Sequence, residues 1–173
     1  LWLSVSDRLY FMVIEKKEFY TRLLGISSPW RIKSVTVDEF ESTVFVRIGS
    51  EAGARLVCPQ CDCHCPGYDI RTRRWRHLDT CEYRTMVWAD VPRIKCPEHG
   101  CLTVLVPWAE PGRRYTNAFE MHVMQWLRET SIHVVSRKLE LSPSAIDGIT
   151  RHVMERAVAG WLPTQRVRQL VLE

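Results

Sequence analysis

No run of this chain approaches the roughly 20 apolar residues that a membrane-spanning helix needs, so a bilayer is not an expected partner. No secretory leader is expected either. Leu1 to Ile14 is partly apolar, but Asp7 and Arg8 interrupt it and no small-residue cleavage site follows. With no leader, the seven cysteines are not expected to form a disulfide scaffold, and thiolates bound to a metal in a reducing cytosol fit better. Strong charge of one sign is also absent: 24 basic residues face 20 acidic ones, a net charge of +4 that by itself names no partner. Nor is there a carboxylate set able to hold catalytic metals. Asp79, Asp90 and Glu110 are scattered between strands and turns. The chain does not begin with Met, and Met12 opens a more usual start, so residues 1–11 are treated as an upstream extension.

What is present suits a folded protein. Hydrophobic residues make up 46% of 173, enough for one ordinary domain or two small ones with real cores. The most informative stretch runs from Cys58 to Cys101. It opens with Cys58-Pro59-Gln60-Cys61 and closes with Cys96-Pro97-Glu98-His99-Gly100-Cys101. A tight turn aims two side chains at one point, and two such turns supply the four ligands of a tetrahedral structural zinc. Cys58, Cys61, Cys96 and His99 are the expected ligands, because His99 repeats the two-residue gap of the first turn. Cys101 is the alternative fourth ligand. Residues 62–95 separate the halves, which is long for a zinc ribbon, so the gap must hold strands of its own. The neighbouring cluster of Cys61, Cys63, His64 and Cys65 has no matching second half and is not taken as another metal or iron–sulfur site.

Residues 12–25 suit a short amphipathic helix with Phe19, Leu23 and Ile26 inward and Gly25 at its end. Residues 30–48 suit a hairpin turning at Asp38 to Ser42. In residues 71–77, four arginines fall with no acidic residue. As a strand, this places Arg74 and Arg76 on one side and Trp75 and His77 on the other. Arg73, Arg74 and Arg76 are therefore candidate phosphate contacts, against the alternative of a solvated sheet face over a core Trp. Residues 81–95 carry apolar groups on both faces and should form a central strand, with a short last strand from Leu102 to Trp108. The Glu110-Pro111-Gly112 turn marks the domain boundary.

Helices follow. Thr116 is the expected N-cap of the first, which places Phe119, Val123, Trp126 and Leu127 inward, with Trp126 as a core residue. A second helix spans about Ile132 to Leu139. After Glu140-Leu141-Ser142, Ser142-Pro143 opens a third, with Ile146, Ile149, Val153 and Ala157 inward. Two helices joined by a short turn suit a helix-turn-helix. The third helix would then be the recognition helix, offering Ser144, Arg151 and His152 to DNA.

In order along the chain stand Cys58-Pro-Gln-Cys61, Tyr68-Asp69, Arg73-Arg74-Trp75-Arg76-His77-Leu78-Asp79-Thr80, Val91-Pro92-Arg93-Ile94-Lys95-Cys96-Pro97-Glu98-His99-Gly100 and Val106-Pro107-Trp108-Ala109-Glu110. This pattern closely resembles bacterial insertion-sequence transposases of the ISL-three family. The resemblance implies an N-terminal zinc finger, then a helix-turn-helix, then a catalytic DDE domain that would lie beyond Glu173. It implies binding to double-stranded DNA at the terminal inverted repeats of a mobile element, and it supports Cys58, Cys61 and Cys96 as ligands. Divalent catalytic metal would belong to the missing domain, so no enzymatic activity is expected of this chain alone.

The expectation is an α+β protein, with a small antiparallel zinc-ribbon-like β domain followed by an all-helical helix-turn-helix domain. Its parts are an extension and short helix (1–29), a zinc-binding β domain (30–110), a helix-turn-helix (113–162) and a linker (163–173). Zinc is structural, the location is the cytoplasm at the nucleoid, and self-association is left open. The rivals are a stand-alone zinc-containing transcription regulator, an enzyme with a catalytic zinc, and an assembly module.

Overall fold

The computed structural model describes residues 16–161. Helical residues 16–23 (α1) are followed by strands β1 (Trp30–Asp38), β2 (Thr43–Ser50), β3 (Gly67–Thr80), β4 (Tyr83–Cys96) and β5 (Gly100–Thr103). Helices α2 (Asn117–Glu129), α3 (Ile132–Leu139) and α4 (Pro143–Trp161) complete the order. The class is α+β, as expected. The expected extension, residues 12–15 of the first helix and the linker 163–173 lie outside the described residues. Two compact units divide after Phe119.

The first unit is built on a sheet in the order β1-β2-β4-β3, with β5 also paired to β4. β1 and β2 form the hairpin whose turn falls between Asp38 and Thr43. The sheet is mixed, not purely antiparallel, because β2 and β4 run parallel from Thr43↔Arg84 to Ile48↔Ala89. A parallel pair needs a long crossover, and residues 51–82, which contain β3, supply it. β4 is the central strand. Its first half lies between β2 and β3, and its last residues exchange β2 for β5.

One face of this sheet is the core. Val46, Ile48, Val87, Ala89, Val91 and Trp75 are buried there at alternate positions, as the two-residue period of a strand requires. Trp108 closes the cluster, edge-on to Trp30 at 5.2 Å and to Trp75 at 5.7 Å between ring centroids. It is not the end of a strand, since β5 stops at Thr103 and Trp108 arrives in a tight turn bridged Val106↔Ala109. Helix α1 packs through Tyr20 and Leu24, while Phe19 and Leu23 are largely exposed. Ile26 is buried as expected, but within the helix the inward face is one residue round from the expected Phe19 and Leu23. The Tyr20 hydroxyl fixes it by bonding Thr80 Oγ1 at 2.7 Å. Gly25 ends this segment at a positive φ of 61°, a conformation cheap only for glycine.

In the second unit, the buried apolar positions among the described residues are Val123, Val135, Leu139, Leu141, Ile146 and Ile149. Trp126 is only half-buried and is not a core residue. Its indole N–H donates to His122 Nε2 at 3.0 Å, and Lys138 Nζ stands 4.3 Å from its ring centroid.

Candidate metal centre and helix-turn-helix

The first metal turn sits at the tip of a minute hairpin. Val57 and His64 form an antiparallel bridge, Cys58 N–H donates to Cys63 O at 2.9 Å, and Asp62 N–H donates to Cys58 O at 2.9 Å. Asp62 takes a positive φ of 55°, which folds the chain back over the turn. The second turn joins β4 to β5, with Cys96 opposite Gly100. Gly100 has φ 71°, as a reversal this tight demands. β3 and β4, lying in the long gap between the halves, carry Cys96 back beside Cys58.

Four ligand atoms meet there. Cys58, Cys61, Cys96 and His99 each offer one, and all lie within 4.8 Å of one another. A tetrahedral zinc with bonds of about 2.3 Å to sulfur and about 2.0–2.1 Å to nitrogen would set sulfur–sulfur edges of ~3.8 Å and sulfur–nitrogen edges of ~3.6 Å. The cluster has Cys61 Sγ to Cys96 Sγ at 3.8 Å, Cys58 Sγ to His99 Nδ1 at 3.7 Å and Cys96 Sγ to His99 Nδ1 at 3.5 Å. Three thiols and an imidazole at these spacings fit a structural zinc in donor type and geometry. Cys101 lies on β5 opposite Lys95, exposed and outside the cluster.

The surroundings prepare the thiols unequally. The backbone N–H of His99, then that of Glu98, points at Cys96 and draws its pKa down to about 7. At Cys61 the Cys63 N–H lowers the pKa, but desolvation and the neighbouring thiols outweigh it and push the value up to about 12. A bound cation would relieve that crowding of thiolates. Cys65, buried with Cys58, Cys96 and Ile94, has its pKa raised by desolvation and acts as packing. Its Sγ donates to Cys63 O at 3.5 Å.

In the second unit, α3 stops at Glu140, which adopts a left-handed conformation at φ 51° and bonds back to Ser136 O. Leu141 N–H also reaches Ser136 O at 3.0 Å, and Ser136 Oγ donates to Leu141 O at 2.6 Å. Ser142 then caps α4, its Oγ accepting the Ala145 N–H at 3.2 Å. Three residues therefore turn the chain between two helices, as a helix-turn-helix requires. Ile146 and Ile149 face inward, and Ser144, Asp147 and Arg151 are exposed.

Residues 54–101 match the zinc-finger of transposase IS204/IS1001/IS1096/IS1165, and residues 104–154 match the helix-turn-helix domain of transposase family ISL3. The chain carries the zinc-finger and helix-turn-helix region of ISL3-family transposases. It is 29% identical over 114 residues to the transposase for insertion sequence element IS1557 of Mycobacterium tuberculosis, in both strain CDC 1551 / Oshkosh and strain H37Rv. That match covers 62% of this chain and 26% of each relative, so the chain spans about a quarter of the curated relatives it matches. No solved structure matches.

The candidate DNA contacts of this ISL3-family region fall in different environments. Arg73 and Arg74 are exposed, on opposite faces of β3. Arg76 is drawn away from them. Its side chain is only 11% exposed, paired with Asp79 at 3.0 Å and lying 4.9 Å from the Phe119 ring centroid. Arg151 pairs with Asp147 one turn away at 2.6 Å, with both side chains about two-thirds exposed. His152 faces inward, its Nε2 3.6 Å from the carboxylate of buried Glu120. The reason is helical spacing, since residue 152 follows buried Ile149 by three and shares its side of the helix. Two features went unread in the sequence. One is the Arg93–Asp69 ion pair, a cross-strand pair visible only once register is known. The other is the outward face of the sheet.

Proposed function

We propose that this chain is the DNA-recognising part of an insertion-sequence transposase and binds the terminal inverted repeats of its element. The observation that carries the reading is the exposed face along the first half of α4. Ser144 and Arg151 stand on the side opposite Ile146 and Ile149, where a recognition helix presents its side chains to a major groove. Arg151 is suited to a guanine edge, and Ser144 to a phosphate near the helix start. Exposed Arg73 and Arg74 add phosphate attraction.

Zinc in the Cys58–Cys61–Cys96–His99 site is structural. Four protein ligands leave no open position for water or substrate. Strand cleavage and transfer would belong to a metal-dependent catalytic domain outside this chain, a reading supported by the transposase name that the relatives above carry. The protein works on DNA in the bacterial cytoplasm, with self-association as a further property to test.

The test is fluorescence anisotropy of the zinc-loaded chain with the terminal repeat of its own element, at fixed physiological salt, beside a scrambled duplex. A preference of about a hundredfold or more supports specific recognition. Equal, weak binding to both duplexes would leave only electrostatic affinity and sink the reading.

A further inference from the structure

The face of the first sheet turned away from its core is not an ordinary solvated surface. Pairing register sets Ser34 of β1 beside Arg47 of β2, Arg47 beside Trp88 of β4, and Trp88 beside Arg74 of β3. One row across four strands therefore holds a tryptophan between two arginines. The adjacent row places Thr36 beside Phe45. Phe45 and Trp88 touch edge to face, 5.7 Å between ring centroids, and both are half-buried. The Arg74 guanidinium lies 5.5 Å from the Trp88 ring centroid. Ser34, Thr36, Phe45, Arg47 and Trp88 line an open depression of about 350 Å³.

The row makes no contribution to the core, which lies on the other face through Val35, Val46, Val87 and Trp75. The solvent side of a sheet normally carries polar residues, yet here two large aromatic rings sit among cations. Trp88 Nε1–H is covered and has no acceptor among the described residues. The exposed pair of Arg47 with Asp90, at 3.2 Å, holds that arginine weakly enough for another anion to compete for it.

We infer that this face is a stacking platform for unpaired DNA bases, a site separate from the helix that reads duplex. Phe45 and Trp88 offer π-surface to bases of any sequence, because every base has a π-face, and a base stacking on Trp88 takes the place of the Arg74 guanidinium over that ring. Arg47 and Arg74 flank the rings at the spacing of neighbouring strands and neutralise the phosphates on either side. Charge complementarity and the aromatic pair together favour a single strand over a second copy of the chain, which would bring like arginines together. They also favour it over duplex, whose stacked bases offer no free ring face.

The experiment uses the whole zinc-loaded chain with a labelled 12-nucleotide oligothymidine, and the element's terminal repeat as a separate duplex arm. Trp88→Leu and Phe45→Leu, checked for retained zinc, should each weaken oligothymidine binding at least tenfold and change duplex binding less than twofold. In the unaltered protein, a bromouracil-substituted 12-mer should photocross-link to Phe45 or Trp88, which keeps the test open should either variant misfold. Oligothymidine that fails to bind, or that binds both variants as well as the parent, overturns the platform. So do loss in Arg74→Gln alone, which means simple phosphate attraction, and cross-links mapping elsewhere. Concentration-dependent self-association abolished by Trp88→Leu, without binding of the strand, overturns it in favour of a second copy. Failure of the duplex arm alone would count against the helix-turn-helix reading and leave this one standing.

Discussion

A neutral imidazole in the core of the first unit makes acid a sharp probe of single residues. His77 is fully buried, and its Nδ1 lies 2.8 Å from Thr116 Oγ1, the same oxygen that accepts the Phe119 N–H at the start of α2. Burial holds its pKa down to about 4, only partly offset by Asp79, against an ordinary value of 6.5. The folded state thus binds this proton later than the unfolded chain does. The stabilisation is complete above the unfolded pKa and drains away as pH falls toward the folded one. We expect a loss of about 2 kcal/mol by pH 5 from this residue alone. Urea denaturation of the zinc-loaded protein at pH 7 and pH 5, beside His77→Gln, checks it, because metal release is common to both proteins and cancels. A pH response equal in the two would refute the assignment. The neighbours Arg151 and His152 invite a second contrast. His152→Ala should lower the melting stability of the second unit by about 1–2 kcal/mol, as loss of a part-buried polar partner does, and leave base preference unchanged. Arg151→Ala should do the reverse, relaxing preference with little change in stability, since its exposed pair with Asp147 is worth at most about 0.5 kcal/mol. Competition anisotropy with mutated repeats, paired with thermal melts, separates the two.

At the scale of elements, the metal turns and the sheet are distinct structures sharing one strand. Cys58, Cys65, Ile94 and Cys96 make a small cluster of their own, while the larger core runs from Tyr20 through Trp75 to Trp108. Chelation should therefore melt one end of the first unit and not the whole. Amides of Ile94 and Leu102 should lose hydrogen-exchange protection when zinc is removed, and those of Val46 and Val87 should keep it. Cys58→Ser should behave as chelation does, and Cys101→Ser should retain zinc. Uniform loss of protection across the sheet would show that the metal holds the entire unit. This division also explains what the sequence disclosed. Cys-Pro-x-Cys and Cys-Pro-x-His spacing is local, and so are the Ser142-Pro143 start and the three-residue turn before it, so both sites could be located from residues alone. The parallel pairing of β2 with β4 is a long-range choice that alternation cannot reveal. Alternation did separate Trp75 and His77 from Arg74 and Arg76. It could not show that Asp79 and Phe119 would claim Arg76, because neither partner is a strand neighbour on that face. Along helix α1, Phe19/Leu23 and Tyr20/Leu24 have the same spacing, so periodicity does not choose between them and the bond from Tyr20 to Thr80 does.

Across the whole molecule, a net charge of +4 is too small to hold duplex DNA without placement. Each phosphate neutralised releases counterion, so the slope of log affinity against log salt counts contacts at about 0.9 per phosphate on B-DNA. The arginines divide by availability. Arg73, Arg74 and Arg151 are exposed, whereas Arg76 is committed to Asp79 and Phe119. Arg73→Gln with Arg74→Gln should lower the duplex slope by up to about 2 and weaken repeat and scrambled duplex alike. Arg76→Gln should leave the slope unchanged and instead destabilise the first unit, by about 1–3 kcal/mol for a mostly covered charged hydrogen bond. Titrations between 50 and 200 mM salt on both duplexes measure this directly. A slope that falls with Arg76→Gln as much as with the other two would mean that the guanidinium leaves Asp79 on binding, and that DNA remodels this part of the protein. A slope indifferent to all three would confine phosphate contact to the helical unit.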